Sequence, residues 1–118
     1  MTTEALDPEA FRHLLDITGG DLAFVDELID TYIDDATVQL EAMRQAAAAG
    51  DAEAMVRPAH SLKSSSANVG AVAVTEACRS LEAEGRAGTL VDAVGRVAAC
   101  EAAFEAAKDA LLEERTTR

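Results

Sequence analysis

His60-Ser61-Leu62-Lys63-Ser64-Ser65-Ser66-Ala67-Asn68-Val69-Gly70 is the stretch on which the reading of this chain turns. It sets a histidine, a lysine three positions on and a run of small hydroxyl residues inside a helical apolar pattern. Spacings of three and four stack side chains on one helical face, so the Lys63 ammonium can hang beside the His60 imidazole. Ser64 and Ala67 complete a small, open floor. Such a surface suits a negatively charged group held on a ring nitrogen, provided that His60 points out of the fold.

A helical wheel over the segment, at about 100° per residue, decides the direction. Ala52, Met55, Ala59, Leu62, Ser66 and Val69 fall within roughly 60° of a common direction, which marks the core face. His60 lies about 130° from the centre of that face and Lys63 about 70° from it. His60 is therefore expected to be exposed, with Lys63 on the flank against a neighbouring helix. Pro58 removes one backbone hydrogen bond and is expected to bend the helix just before His60 without turning it inward. A surface histidine is usually only a solvated side chain. The lysine and the small residues set His60 apart, whereas His13 has no such company and reads as ordinary surface.

Outward from this segment, the chain reads as helices joined by short turns. Residues 1–6 form a loose lead-in, and Asp7-Pro8 then gives an N-cap and a first helical position, with Glu9 at the positive end of the dipole. Phe11, Leu14, Leu15 and Ile17 make one stripe, and Gly19-Gly20 stops this short helix. Asp21 caps a long helix in which Leu22, Val25, Ile29, Tyr32, Ile33, Ala36, Leu40, Met43 and Ala47 recur at helical spacing up to Gly50. Phe24 and Leu28 widen that stripe, and packing against the short first helix is the favoured reading over a docking patch. Asp51 caps the helix that carries His60, and Asn68 and Gly70 end it. A fourth helix is expected from Ala71 to Glu84, with Ala71, Val74, Ala77, Cys78 and Leu81 inward, then a turn bracketed by Gly85 and Gly88. The last helix spans about 90–113 with Leu90, Val94, Val97, Cys100, Phe104, Ala107 and Leu111 on one side, and its ERTTR tail is expected to fray. The fold class is all-α: an antiparallel up-down four-helix bundle with an additional short N-terminal helix, one domain with its core at about 7–113.

Bulk composition agrees. The 118 residues suit one domain, 49% are apolar and only 3% aromatic, which favours close helix packing on small side chains over a sheet. A net charge of −12 argues against nucleic acid and against an acidic membrane surface. No stretch approaches the roughly 18–20 apolar residues of a membrane span, and the first residues lack the organisation of a signal peptide. Cys78 and Cys100 sit at apolar helix positions and read as reduced core residues. A cytoplasmic protein is expected, and the initial Met and polar ends favour a stand-alone chain. Two isolated histidines make no metal-ligand set.

AHSLKSSSANVGA, residues 59–71, resembles the signature of histidine-containing phosphotransfer (HPt) domains: His-x-x-Lys-Gly/Ser, small residues, then a glycine about ten after the histidine. Cys78-Arg79-Ser80-Leu81-Glu82-Ala83-Glu84-Gly85-Arg86 is similar to the next helix of that family, and the resemblance covers about residues 7–113. One departure is Ser64, where glycine often allows close approach of a partner. The resemblance implies that His60 is the phosphoacceptor, taking a phosphoryl group from an aspartyl phosphate of a receiver domain and passing it to another. An exposed imidazole suits this task, because a histidine with a reference pKa of about 6.5 is largely neutral near neutral pH and offers one lone pair. Nε2, the outer nitrogen, is the expected nucleophile. Lys63 would meet the phosphoryl oxygens and Ser64 could donate to them, since in-line transfer needs positioning and charge stabilisation above all.

The resemblance also places Glu82 and Arg86 near the histidine's side of the bundle, behind the reacting groups. Glu82 would orient the imidazole proton or hold Lys63, with a plain i,i+4 pair to Arg86 as an equal alternative. Val56, Arg57 and Ala67 are expected to contact the partner, together with parts of the first two helices. Arg57, Lys63 and Arg86 would make the local field positive. No cofactor is expected on this chain; the Mg²⁺ that transfer needs would sit on the partner receiver. The implied partners are the receiver domain of a response regulator or a hybrid histidine kinase, met by a monomer that carries phosphate without autonomous catalysis. The alternative is a helical adaptor that binds receiver or kinase without transferring phosphate.

Overall fold

Residues 5–116 are described by a computed structural model, and they form five helices: α1 Pro8–Ile17, α2 Leu22–Ala49, α3 Ala52–Val69, α4 Val72–Ala87 and α5 Ala93–Thr116. Each of the first three starts at an aspartate whose carboxylate accepts from a backbone N–H of the first turn, Asp7 from Glu9, Asp21 from Phe24 and Asp51 from Ala54. In the bundle, α2 packs on α3 and α5, and α4 packs on the same two helices, while the backbones of diagonal pairs stay apart. That square of neighbours is the up-down bundle the periodicity predicts. Helix α1 caps it at one end, resting on α3 and α2.

Gly70 seats that cap. Its φ of +79° ends α3, its carbonyl accepts from the Asp7 N–H at 2.7 Å, and a Cβ there would lie 3.0 Å from the Asp7 carbonyl oxygen. The glycine therefore serves the α3–α4 turn and the approach of α1 together.

The core is continuous, with Val25, Ile29, Met43, Met55, Leu62, Val74, Leu81, Val97 and Leu111 fully buried. One polar contact crosses it: the Tyr32 hydroxyl and Ser66 Oγ are 2.8 Å apart, which satisfies a serine on the core face of α3. Burial pushes the Tyr32 phenol up to about 12, against the opposing effect of that hydrogen bond. Cys78 and Cys100 are free, buried thiols with their sulfurs 3.8 Å apart.

Several expectations at the edges of elements need correction. Gly85 lies inside α4, which runs on to Ala87, and only Gly88 stops it in the left-handed conformation. Helix α5 starts at Ala93, so Ala93 is buried and Val94 points outward. The stripe read from Leu90 through Val94 took the wrong member of that adjacent pair. Ile17, at the end of α1, is exposed, and so are Leu22 and Phe24 in the first turn of α2, where Val25 takes the buried place; of the pair read as widening the stripe, Leu28 alone packs against the core. The tail is helical through Thr116, and Arg115 is anchored by Asp26 and Asp30 of α2. Of the lead-in, residues 1–4 lie outside the described residues, while Leu6 packs on the core. Pro58 is accommodated within a continuous α3.

Candidate functional site

On α3, Glu53, Arg57, His60, Ser64 and Ala67 form one exposed strip, and the His60 side chain is 55% exposed. Helix α4 runs beside it at unusually close range. A Cβ on Gly85 would lie 2.8 Å from the Ala52 carbonyl oxygen and 2.9 Å from Val56 Cγ2, so this position admits only hydrogen where the helices touch. One turn earlier on α4, at the same closely approached seam, stands Glu82.

Glu82 is the centre of the cluster, a carboxylate with only 7% of its side chain exposed. Its Oε2 lies 3.0 Å from His60 Nδ1 and accepts from Arg86 Nε at 3.0 Å and Nη2 at 2.8 Å. Its Oε1 lies 2.7 Å from Lys63 Nζ. Orienting the imidazole, holding Lys63 and pairing with Arg86 were alternatives on sequence grounds; the carboxylate makes all three contacts at once. The Lys63 ammonium, followed by the Arg86 guanidinium, holds the Glu82 carboxyl down at about 2 in spite of burial. An ionised carboxylate only accepts hydrogen bonds, so the His60 nitrogen facing it carries the proton. Nε2 is left with a lone pair, directed away from Glu82 on an exposed ring.

Two grooves flank the strip and divide the residues expected to meet a partner. Val56 and Arg57 line one, between the start of α3 and the end of α4, together with Gly85 and Arg86. Ala67 lines the other, a groove of about 620 Å³ between α1, α2 and α3 whose apolar walls include Leu14, Ile17, Leu28 and Val69. His13 and Asp35 also line it. Sequence reasoning passed over His13 as plain surface and treated Phe24, Leu28 and Ile17 chiefly as packing. The available signal was the arc 24, 28, 31, 35 and 38 on α2, which flanks the core stripe on the α3 side and keeps Phe24 and Val38 exposed. Among the described residues no group of three or more His, Cys, Asp or Glu side chains gathers as a metal site. No helix among them is long and apolar enough to cross a membrane.

Residues 27–113 match the family model of the Hpt domain. The chain belongs to the Hpt domain family. Its structure is also similar to that of histidine-containing phosphotransfer protein B (HptB) from Pseudomonas aeruginosa PAO1, with a TM-score of 0.86, 29% sequence identity and 99% of each chain covered. Comparison with curated protein sequences gives no match. The function of this Hpt protein is that of its family, histidine phosphotransfer in a phosphorelay. Hpt proteins act as carriers rather than catalysts, and they interact with receiver domains and kinases.

Proposed function

We propose that His60 is the phosphoryl-carrying residue of this Hpt protein and that Nε2 is the atom that bears the group. The observation that carries the proposal is the Glu82 contact to Nδ1 at 3.0 Å, which directs the free lone pair of an exposed imidazole outward. Attack by Nε2 on the phosphorus of a receiver's aspartyl phosphate forms the N–P bond and breaks the P–O bond to the carboxylate. Lys63, on the flank of His60, leans from Glu82 toward the phosphoryl oxygens, and the Ser64 hydroxyl donates to them from the next turn. Arg86, 60% exposed, adds positive charge beside them. Mg²⁺ is supplied by the acidic cluster of the receiver.

The receiver docks over the exposed strip of α3 and the groove between α1, α2 and α3, with Ala67 on one side of His60 and Val56 and Arg57 on the other. The protein acts as a cytoplasmic monomer with no catalysis of its own, exchanging phosphate with a response regulator's receiver or a hybrid kinase. Incubation with phosphorylated receivers tests the site. His60 is expected to take up an acid-labile, alkali-stable phosphate, and His60→Gln is expected to lose it while keeping its helicity by circular dichroism. Retained labelling in that variant would remove His60 from the assignment; binding of receivers without any labelling of the unmodified protein would make it an adaptor.

A further inference from the structure

We infer that Glu82 keeps the proton on Nδ1 of His60 after Nε2 has been phosphorylated, and so holds the carried phosphoryl group in its reactive form. The inference rests on the assignment of His60 as the carrier. Once Nε2 is bonded to phosphorus, the ring is cationic while Nδ1–H is present and neutral once that proton leaves. The distinction governs the next step. When the N–P bond breaks, its electron pair returns to Nε2, and the ring departs as neutral imidazole if Nδ1–H has been retained. If the proton has been lost, the ring must depart as an anion, a far poorer leaving group. A partner on Nδ1 that insists on a proton therefore favours onward transfer, and it also shortens the life of the group in water.

Glu82 is such a partner. An ionised carboxylate has no hydrogen to donate, whereas a neutral amide at the same place could turn its NH₂ toward a deprotonated Nδ1. Nor can Glu82 readily swing away, because Arg86 grips Oε2 through two nitrogens even as Lys63 turns from Oε1 toward the phosphoryl oxygens. Its burial strengthens the effect, since screening by water is weak there. The other charged groups on this face are Arg57, Lys63 and, two turns away, Glu53 on α3, with Arg86 on α4; the three cations favour loss of the ring proton. From the remaining helices packed on α3, Asp35 of α2 and His13 of α1 lie in the groove farther along, beside Ser65 and Ala67. Among the described residues Glu82 is thus the one carboxylate that contacts the ring, and it opposes the local cations.

The test labels the full chain with phosphoramidate, which needs no partner, and follows loss of phosphate from His60 between pH 5 and 9 in the unmodified protein and in Glu82→Gln. Near pH 5 both rings are protonated and the rates are expected to agree within about twofold. Near pH 8 the variant is expected to lose phosphate roughly three- to tenfold more slowly, the effect of removing an opposite charge at hydrogen-bonding distance. Equal rates at both pH values would overturn the inference, as would a variant that is faster at pH 8. Should Glu82→Gln fold poorly, the unmodified phosphoprotein is compared with itself in urea. The ring proton, read by nitrogen NMR, is expected to persist to higher pH in the folded state, and equal or lower persistence counts against the inference. Failure of phosphoramidate to label His60 at all is a separate result, which would overturn the carrier assignment and with it this inference.

Discussion

At the residue scale, the site is built on a single carboxylate serving three nitrogen-bearing side chains. A buried charge costs folding free energy unless it is paired, and Glu82 is paired with two permanent cations on opposite sides. Its low folded-state value, about 2 against 4.5 for an unperturbed glutamate, makes the pairing a stability term with a definite sign. Because the folded value is the depressed one, the contribution is fully present above about 4.5 and is lost as pH falls toward 2. Urea midpoints of the unmodified protein and Glu82→Gln, compared from pH 6 down to pH 2, are expected to show this. The stability difference between the two should change with pH only below about 4.5, moving there against the unmodified protein. A difference that stays constant across the range would contradict the pairing.

At the scale of elements, the decisive contact is that between α3 and α4, and Gly85 permits it. A methyl group at Gly85 meets the backbone of Ala52 and the side chain of Val56 at under 3 Å, so the helices must part to accept it. Gly85→Ala is expected to destabilise the fold by about 1–3 kcal/mol, in spite of alanine's better helix propensity, because overpacking outweighs the ~1 kcal/mol that propensity returns. It should also lengthen the Glu82–His60 contact, since Glu82 sits one turn away on the same helix. Denaturant unfolding reads the first effect, and the rate of His60 labelling by phosphoramidate reads the second. A neutral or stabilising result would show that α4 has room to shift.

For the whole molecule, charge is unevenly shared. Six acidic residues and one arginine lie on α2, whereas α3 carries one acid and two bases, and α4 three acids and two bases. Five other bases are tied down elsewhere, among them Arg79 by Glu76. Arg44 and Arg115 join α2 to α5, Arg96 bridges Glu84 and Ser80, and Lys108 pairs with Glu105. Arg57, Lys63 and Arg86 gather about His60 on a protein of net charge −12, and with Glu82 offsetting one of them they are expected to make the local field positive. Replacing Arg57 and Arg86 together by neutral residues is expected to slow phosphotransfer from a receiver several-fold at low salt and to flatten its dependence on salt. Transfer rates measured over a salt series check this, and an unchanged salt dependence would mean that the field plays no part in the encounter.

The local pattern determined much of this protein by itself. Aspartate caps, helical periodicity and stop glycines depend on neighbours within a few residues, so the bundle, the starts of the first three helices and the outward face of His60 were legible without any structure. So was the His-x-x-Lys spacing, which is a property of one helix. Tertiary structure decided what depends on the meeting of two helices. Gly85 reads as a turn residue until α3 is seen to press on it, and Val94 reads as core until α5 is seen to start at Ala93. Phe24 and Ile17 read as packing until both are seen to face away from the core. Above all, only the approach of α4 to α3 shows that Glu82 contacts His60, Lys63 and Arg86 together. A wheel fixes the angle of a side chain about its own axis, whereas the distance between axes is set by the smallest residue at the seam.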